Sequence, residues 1–141
     1  TIDYKSLKNI EIPKKKNIEK QESKPYNEFN YMGYQIFIGK NSESNELVTF
    51  KIAKKDDLWL HARNFQGSHV VIKKKAAQNF PNPVIEKAAS IAAYFSKGKS
   101  EEFCPVIVTE KKWVRKIKGA ALGKVNFEKE YTILVKPESP F

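Results

Sequence analysis

A chain of 141 residues with 40% apolar and 12% aromatic side chains carries enough hydrophobic material for one core and is not a disordered polypeptide. Its formal charge of +10 and isoelectric point near 9.6 favour an anionic partner such as nucleic acid, although lysine enrichment from an AT-rich genome gives the same balance. The single cysteine, Cys104, excludes an intrachain disulfide and a cysteine-rich zinc site, and no apolar run approaches the ~18 residues of a membrane span.

Residues 1–25 hold seven Lys against four acids and almost no aromatic residue. They read as a Lys-rich linker or arm, and they lack the apolar centre of a signal peptide, so the expected location is cytoplasmic. Thr1 is not an initiator Met, which suggests a piece of a longer parent whose other domains are among the expected partners. Residues 26–141 are expected to form one folded domain, itself basic with 19 Lys plus Arg against 12 acids.

Within that domain, residues 34–38 are rich in aromatic and β-branched side chains and end at Gly39, which predicts a strand. Residues 41–45 read as a polar turn. Residues 46–54 are ambiguous. Val48, Phe50 and Ile52 alternate as in a strand, while Leu47, Phe50 and Ala53 recur as in a short helix capped by Asn45, and the balance favours helix. Residues 58–63 and 68–73 predict two strands of a hairpin joined by residues 64–67. The clearest helix follows, with Asn82 as N-cap, Pro83 at the first position, an apolar stripe through Val84, Ala88, Ile91, Ala92 and Phe95, and Gly98 beyond its end. Residues 105–109, 113–117, 124–127 and 131–136 predict further strands. The fold class is α+β: a mostly antiparallel β-sheet with one main Ala-rich helix and one or two short helices packed on it.

Two groups of residues carry chemistry. If residues 58–63 form a strand, Trp59, His61 and Arg63 share one face, and with His69 they offer ring and guanidinium surfaces suited to unstacked bases and phosphate. The alternative is that Trp59 packs in the core and His61 makes a structural hydrogen bond. The second group spans residues 110–124, EKKWVRKIKGAALGK. There Lys111, Lys112, Arg115, Lys116, Lys118 and Lys124 face a single acid, with Trp113 among them and Gly119 and Gly123 to turn the backbone. Cations interleaved with an aromatic ring match a phosphate backbone with exposed bases. Lys73, Lys74 and Lys75 add a second basic rim. A charge run is more often a solvated face, and Cys104 reads as a small buried residue on a strand.

An acid–base or metal constellation of Asp56 or Asp57 with His61 and His69 is the enzymatic alternative. No Gly-rich phosphate loop or nucleophile accompanies it, so no enzyme, no cofactor, no metal and no small-molecule substrate is expected.

GKN at 39–41, NELVTFKIA at 45–53, DLWLHAR at 57–63 and GSHVVI at 67–72 resemble the NFACT-R (NFACT RNA-binding) domain, formerly a domain of unknown function. AASIAAYFS at 88–96 and KWVRKIKGAALGKV at 112–125 continue the resemblance in order, so that it covers roughly residues 31–137. The chain departs from the family pattern at Lys40, and at Gln66, Ile117 and Leu122, where the family carries prolines. Such losses of rigidity affect loop geometry first.

The family occurs in RqcH/NEMF-type ribosome quality-control factors and in fibronectin-binding protein A-like proteins. The resemblance therefore implies an RNA-binding module that contacts tRNA or large-subunit rRNA, in a factor that acts on stalled nascent chains and their C-terminal tailing on the large ribosomal subunit. A fibronectin- or fibrinogen-binding adhesin module is the rival. On this reading His61, Arg63 and His69 line the RNA site, and Lys73, Lys74, Lys111, Lys112, Trp113, Arg115, Lys116, Lys118 and Lys124 contact RNA. Gly67, Ser68, Gly119 and Gly123 shape loops, and Asp57 and Trp59 give structural support.

Overall fold

The structure, a computed structural model, describes residues 24–140. The expected arm at 1–25 lies outside the described residues except for its last two. In chain order the elements are strands β1 (Tyr26–Tyr31) and β2 (Tyr34–Gly39), helix α1 (Ser42–Leu47) running into a π-helical turn (Val48–Ile52), β3 (Leu58–Ala62), β4 (Val70–Ile72), helix α2 (Asn82–Tyr94), β5 (Cys104–Glu110), a 3-10 turn (Lys111–Trp113), β6 (Val114–Lys116), β7 (Val125–Phe127) and β8 (Tyr131–Val135). Six strands form one antiparallel sheet in the order β1-β2-β4-β3-β5-β8, and β6 pairs β7 in a separate hairpin. The α+β expectation is borne out.

Alternation along the strands divides the interior into two layers. Leu58, Leu60 and Ala62 of β3 point to the face covered by α2, where they meet Val84, Ala88, Ile91 and Ala92. Alanines at the contact let the helix axis approach the sheet closely, and full burial of a side chain such as Ile91 contributes about 1.5–3 kcal/mol. Trp59, on the opposite face of β3, belongs to a second cluster with Phe37, Val48, Val71, Ile107 and Val114. That layer is roofed by α1, the π turn and the β6–β7 hairpin, so the sheet is covered on both sides.

The structure refines several expectations. Residues 41–45 are not a turn: Asn41 caps α1, its Oδ1 accepting the Ser44 N–H at 2.9 Å while Ser44 Oγ accepts the Asn41 N–H at 3.0 Å. This capping box starts the helix well before the expected Asn45 cap, and residues 48–52 are helical rather than extended, as the balance of the pattern favoured. Helix α2 is capped by the backbone of Pro81, so Asn82 is its first residue and Pro83 its second.

Residues 26–31, unassigned from sequence, form an edge strand joined to β2 by Met32 and Gly33, both at positive φ as a type I′ turn requires. Gly98 lies in the turn after α2 and is required there by packing, since a Cβ would lie 2.9 Å from Cys104 Sγ. Cys104 is fully buried on β5, as expected.

The 58–73 hairpin is the largest departure. Strands β3 and β4 pair only as far as Leu60↔Val70, leaving residues 61–69 as the connection instead of a four-residue turn. Beyond that point the strands diverge. The β3 backbone stays with β5, through Ala62↔Val106 and the Arg63 N–H to the Pro105 carbonyl at 2.8 Å. The β4 side stays with β2, through the Gly39 N–H to the His69 carbonyl at 3.0 Å.

Candidate nucleic-acid interface

The divergence of β3 and β4 opens a cleft of about 950 Å3 whose floor is the Trp59–His61–His69 cluster. His61 stacks parallel to Trp59 at 5.9 Å between ring centroids, and His69 stands edge-on to both, at 5.2 Å from Trp59 and 5.4 Å from His61. Thr49 of the π turn fixes this arrangement from beneath. Its Oγ1 accepts the Trp59 indole N–H at 3.1 Å and lies 2.7 Å from His69 Nδ1. The Gly123 carbonyl accepts from His69, so in the neutral ring Nδ1 is the acceptor and takes the Thr49 hydroxyl proton.

Both imidazoles are held neutral. Burial pushes His69 down to about 3, helped by the neighbouring His61 and opposed by the Gly123 carbonyl. Burial also lowers His61, against the backbone carbonyls of Ala62 and Gly67 and with a further push from Lys124. Near neutral pH the floor is therefore aromatic and uncharged, and His61, its one partly exposed member, presents an imidazole rather than a cation to the cleft.

One wall is the 61–69 connection, pinned at both ends of the cleft. Asn45 of α1 accepts the His69 N–H at 3.0 Å and donates to the Gly67 carbonyl at 3.4 Å. The C-terminal end of α2 takes the other side, with the Ser68 N–H on the Phe95 carbonyl at 3.3 Å and the Lys97 N–H on the Gln66 carbonyl at 2.8 Å. Gly67 is required by contact: a Cβ there would lie 2.6 Å from Ser96 Cβ. Ser68 is buried in this wall.

The opposite wall is the end of the β6–β7 hairpin. Residues 117–120 and 121–124 each make a turn closed by a backbone hydrogen bond, with Gly119 and Gly123 at positive φ in the third position. Leu122 thus occupies the turn position where proline is favoured, and the turn closes without it. Glu46 of α1 anchors this wall by accepting the Gly123 N–H at 3.2 Å and pairing with Lys116.

The expected cations fall into two groups. Some are committed to protein partners. Lys73 Nζ lies 2.6 Å from Asp57, whose buried carboxylate also accepts the N–H groups of Lys54 and Lys74 at 2.7 Å each. Arg63 donates to Thr132 Oγ1 at 3.0 Å and pairs with Glu130 at 3.3 Å. The Lys74 ammonium sits over Phe80. Others line the hairpin surface. Arg115 is exposed while paired with Glu128 at 2.7 Å, and Lys112 is exposed near Glu110 at 3.5 Å. Lys111 and Lys116 lie over the Phe50 ring, and Trp113, half-buried, has Lys112 and Lys129 over its ring. Lys118 and Lys124 are exposed and have no carboxylate partner among the described residues.

Sequence reasoning missed Thr49, Asn45, Lys40 and Lys97 as parts of this site. Lys40 stood inside the quoted GKN motif and Asn45 and Thr49 inside NELVTFKIA, but their place in the site is set by contacts distant in sequence, as is that of Lys97. Among the described residues no three His, Cys, Asp or Glu side chains gather as metal ligands, and no helix is long and apolar enough to cross a membrane.

Comparison with known proteins adds the following. The family model described as "NFACT protein RNA binding domain" matches residues 24–129. The Rqc2 homolog RqcH of Bacillus subtilis is 40% identical over 107 residues, which is 76% of this chain and 18% of that protein. The Rqc2 homolog RqcH of Streptococcus pneumoniae is 38% identical over 104 residues, 74% of this chain and 18% of the relative. The chain thus spans less than a fifth of the length of these relatives. The solved C-terminal part of the fibronectin/fibrinogen-binding protein from Streptococcus suis superposes with a TM-score of 0.75 at 37% identity, covering 82% of this chain and 46% of that one.

Proposed function

The chain belongs to the family of NFACT protein RNA-binding domains, and from that premise we propose that it is the RNA-binding module of a longer ribosome-associated quality-control factor, contacting tRNA or large-subunit rRNA beside stalled nascent chains. The domain positions RNA and catalyses nothing itself. The observation that carries this reading is the β6–β7 hairpin. Its exposed cations include Lys118 and Lys124 at the loop end, free of carboxylates among the described residues, and the half-buried ring of Trp113 stands at its base with Lys112 and Lys129 over it. Cations without a carboxylate to give up most readily replace the counterions condensed on a phosphate backbone, and the indole at the hairpin base offers a stacking surface to an unpaired base.

The test is binding of the chain to total tRNA and to isolated large ribosomal subunits across a salt series. Saturable binding whose log affinity falls linearly with log salt, weakened in Lys118→Glu/Lys124→Glu, supports the reading. The Streptococcus suis neighbour gives a second reading, a protein-binding module for fibronectin or fibrinogen. Saturable binding to immobilised fibronectin or fibrinogen at physiological salt, with no salt-dependent RNA binding, would replace the first reading by the second.

A further inference from the structure

The cleft between β3 and β4 has a charge pattern that its structural role does not require. Four cations line it, Lys40, Arg63, Lys97 and Lys124, and not one Asp or Glu does. Arg63 is occupied by Glu130, whereas Lys40, Lys97 and Lys124 are exposed and none pairs with a carboxylate among the described residues. They stand on three separate segments: the residue after β2, the turn after α2, and the residue before β7. Below them lies the neutral aromatic floor of Trp59, His61 and His69.

A rim of ammonium groups without carboxylate partners, Lys40 donating to the Lys24 carbonyl at 3.4 Å, over an uncharged ring-lined floor is the complement of a ligand with an anionic edge and a planar body. We propose that this cleft captures a single nucleotide unit, its phosphate between the rim lysines and its unstacked base against His61. The volume, about 950 Å3, lies within the range of about 300–1,000 Å3 typical of small-molecule clefts and leaves room for a base with its ribose and phosphate. The lowered imidazoles fit this division of labour. A charged His61 would repel Lys124 and compete for the phosphate, while a neutral one, its N–H held by a backbone carbonyl, leaves a ring face to the base. The rigid construction fits too. Asn45, Gly67 and the end of α2 hold one wall, and Glu46 holds the other, so that the cleft exists before any ligand arrives.

This inference rests on the RNA reading above for the source of the nucleotide. A nucleotide unit reaches the cleft either as one residue of an RNA strand or as a free nucleoside monophosphate, and the experiment separates the two. Backbone amide resonances of the full chain would be followed while adding a single-stranded RNA octamer, the same octamer with one central abasic residue, or adenosine monophosphate. The variants are Lys97→Ala/Lys124→Ala, confined to exposed side chains, and His61→Ala, with thermal melting to confirm that each is folded.

Shifts at His61, Gly67 and Gly123 with the intact octamer, and a loss of affinity of about five- to hundred-fold on removing the base, are the expected result. That loss should shrink in both variants. Saturable shifts at the same residues with adenosine monophosphate alone, and none with the octamer, support the site and assign it to the free nucleotide. Octamer binding that leaves these three amides unmoved overturns the cleft inference and leaves the RNA reading standing. No shift there with any probe, and no RNA binding, overturns both.

Discussion

Taking the protein from pH 7.5 to pH 5.0 asks the folded state to keep the His69 ring neutral where the unfolded chain protonates it. The unfolded ring titrates near about 6.5, and burial beside His61 brings the folded one down to about 3. Above the unfolded value neither state binds the proton and stability is level. Below it the unfolded chain takes up a proton that the folded state refuses, so stability falls as pH falls and keeps falling until the folded value is reached.

From these two values the loss is about 0.8 kcal/mol at pH 6.0 and about 2 kcal/mol at pH 5.0. His61 is shifted in the same direction and adds to the loss. Urea unfolding at pH 7.5, 6.0 and 5.0 and constant ionic strength reads this directly, in a window that stays above most carboxylates. In His69→Gln, whose side chain does not titrate, the slope should be markedly smaller. Equal stability of the natural chain at pH 7.5 and 5.0, or a slope unaltered in His69→Gln, would refute the buried neutral imidazole.

Three further outcomes follow from the contacts. Asp57→Ala leaves Lys73 and two backbone N–H groups without their buried acceptor and should cost about 3–5 kcal/mol in urea unfolding. Gly67→Ala drives a Cβ into Ser96, where backbone and not a flexible tip must yield, and should cost about 1–3 kcal/mol, or roughly 4–12 °C in Tm by calorimetry. Trp113→Ala removes a hairpin ring that takes little part in either core, so melting should change little. Its affinity for single-stranded RNA in fluorescence anisotropy should weaken by about 1–3 kcal/mol.

The elements legible in the sequence are those whose pattern is enforced by one dominant burial direction. Helix α2 announces itself because Val84, Ala88, Ile91 and Ala92 all face one sheet. The opposed faces of β3 are equally plain from the alternation of Trp59 and His61 with Leu58, Leu60 and Ala62. What was illegible depends on long-range choices. The early end of the β3–β4 ladder is decided by competition: β5 holds one backbone and β2 the other, and nothing local in residues 61–69 records it. Thr49 reads as an ordinary strand or helix residue until Trp59 and His69 converge on its hydroxyl. The π turn is likewise hidden, since Val48, Phe50 and Ile52 satisfy strand alternation while their backbone is helical. The two histidines and the hairpin lysines were singled out by residue type, yet residue type alone did not separate ring surfaces from phosphate contacts.

That separation bounds how strongly RNA binding can depend on salt. The imidazoles, being neutral, release no counterions. Lys73 and Arg63 would each have to abandon a carboxylate before meeting a phosphate, so their net contribution is small. Arg115, Lys116 and Lys112 face the same exchange at the surface, with Glu128, Glu46 and Glu110. Among the cations of the hairpin and cleft, the full effect is left to Lys111, Lys118 and Lys124 of the hairpin and Lys40 and Lys97 across the cleft. At about 0.7 in slope per phosphate neutralised on a single strand, these five set a slope of about −3.5 for this surface. A slope of that size from a domain carrying 19 cations would mean that the cleft and hairpin cations without carboxylate partners, and not the total charge, determine what this surface offers to RNA. A much steeper slope would mean that Glu128, Glu46 and Glu110 yield their partners on binding.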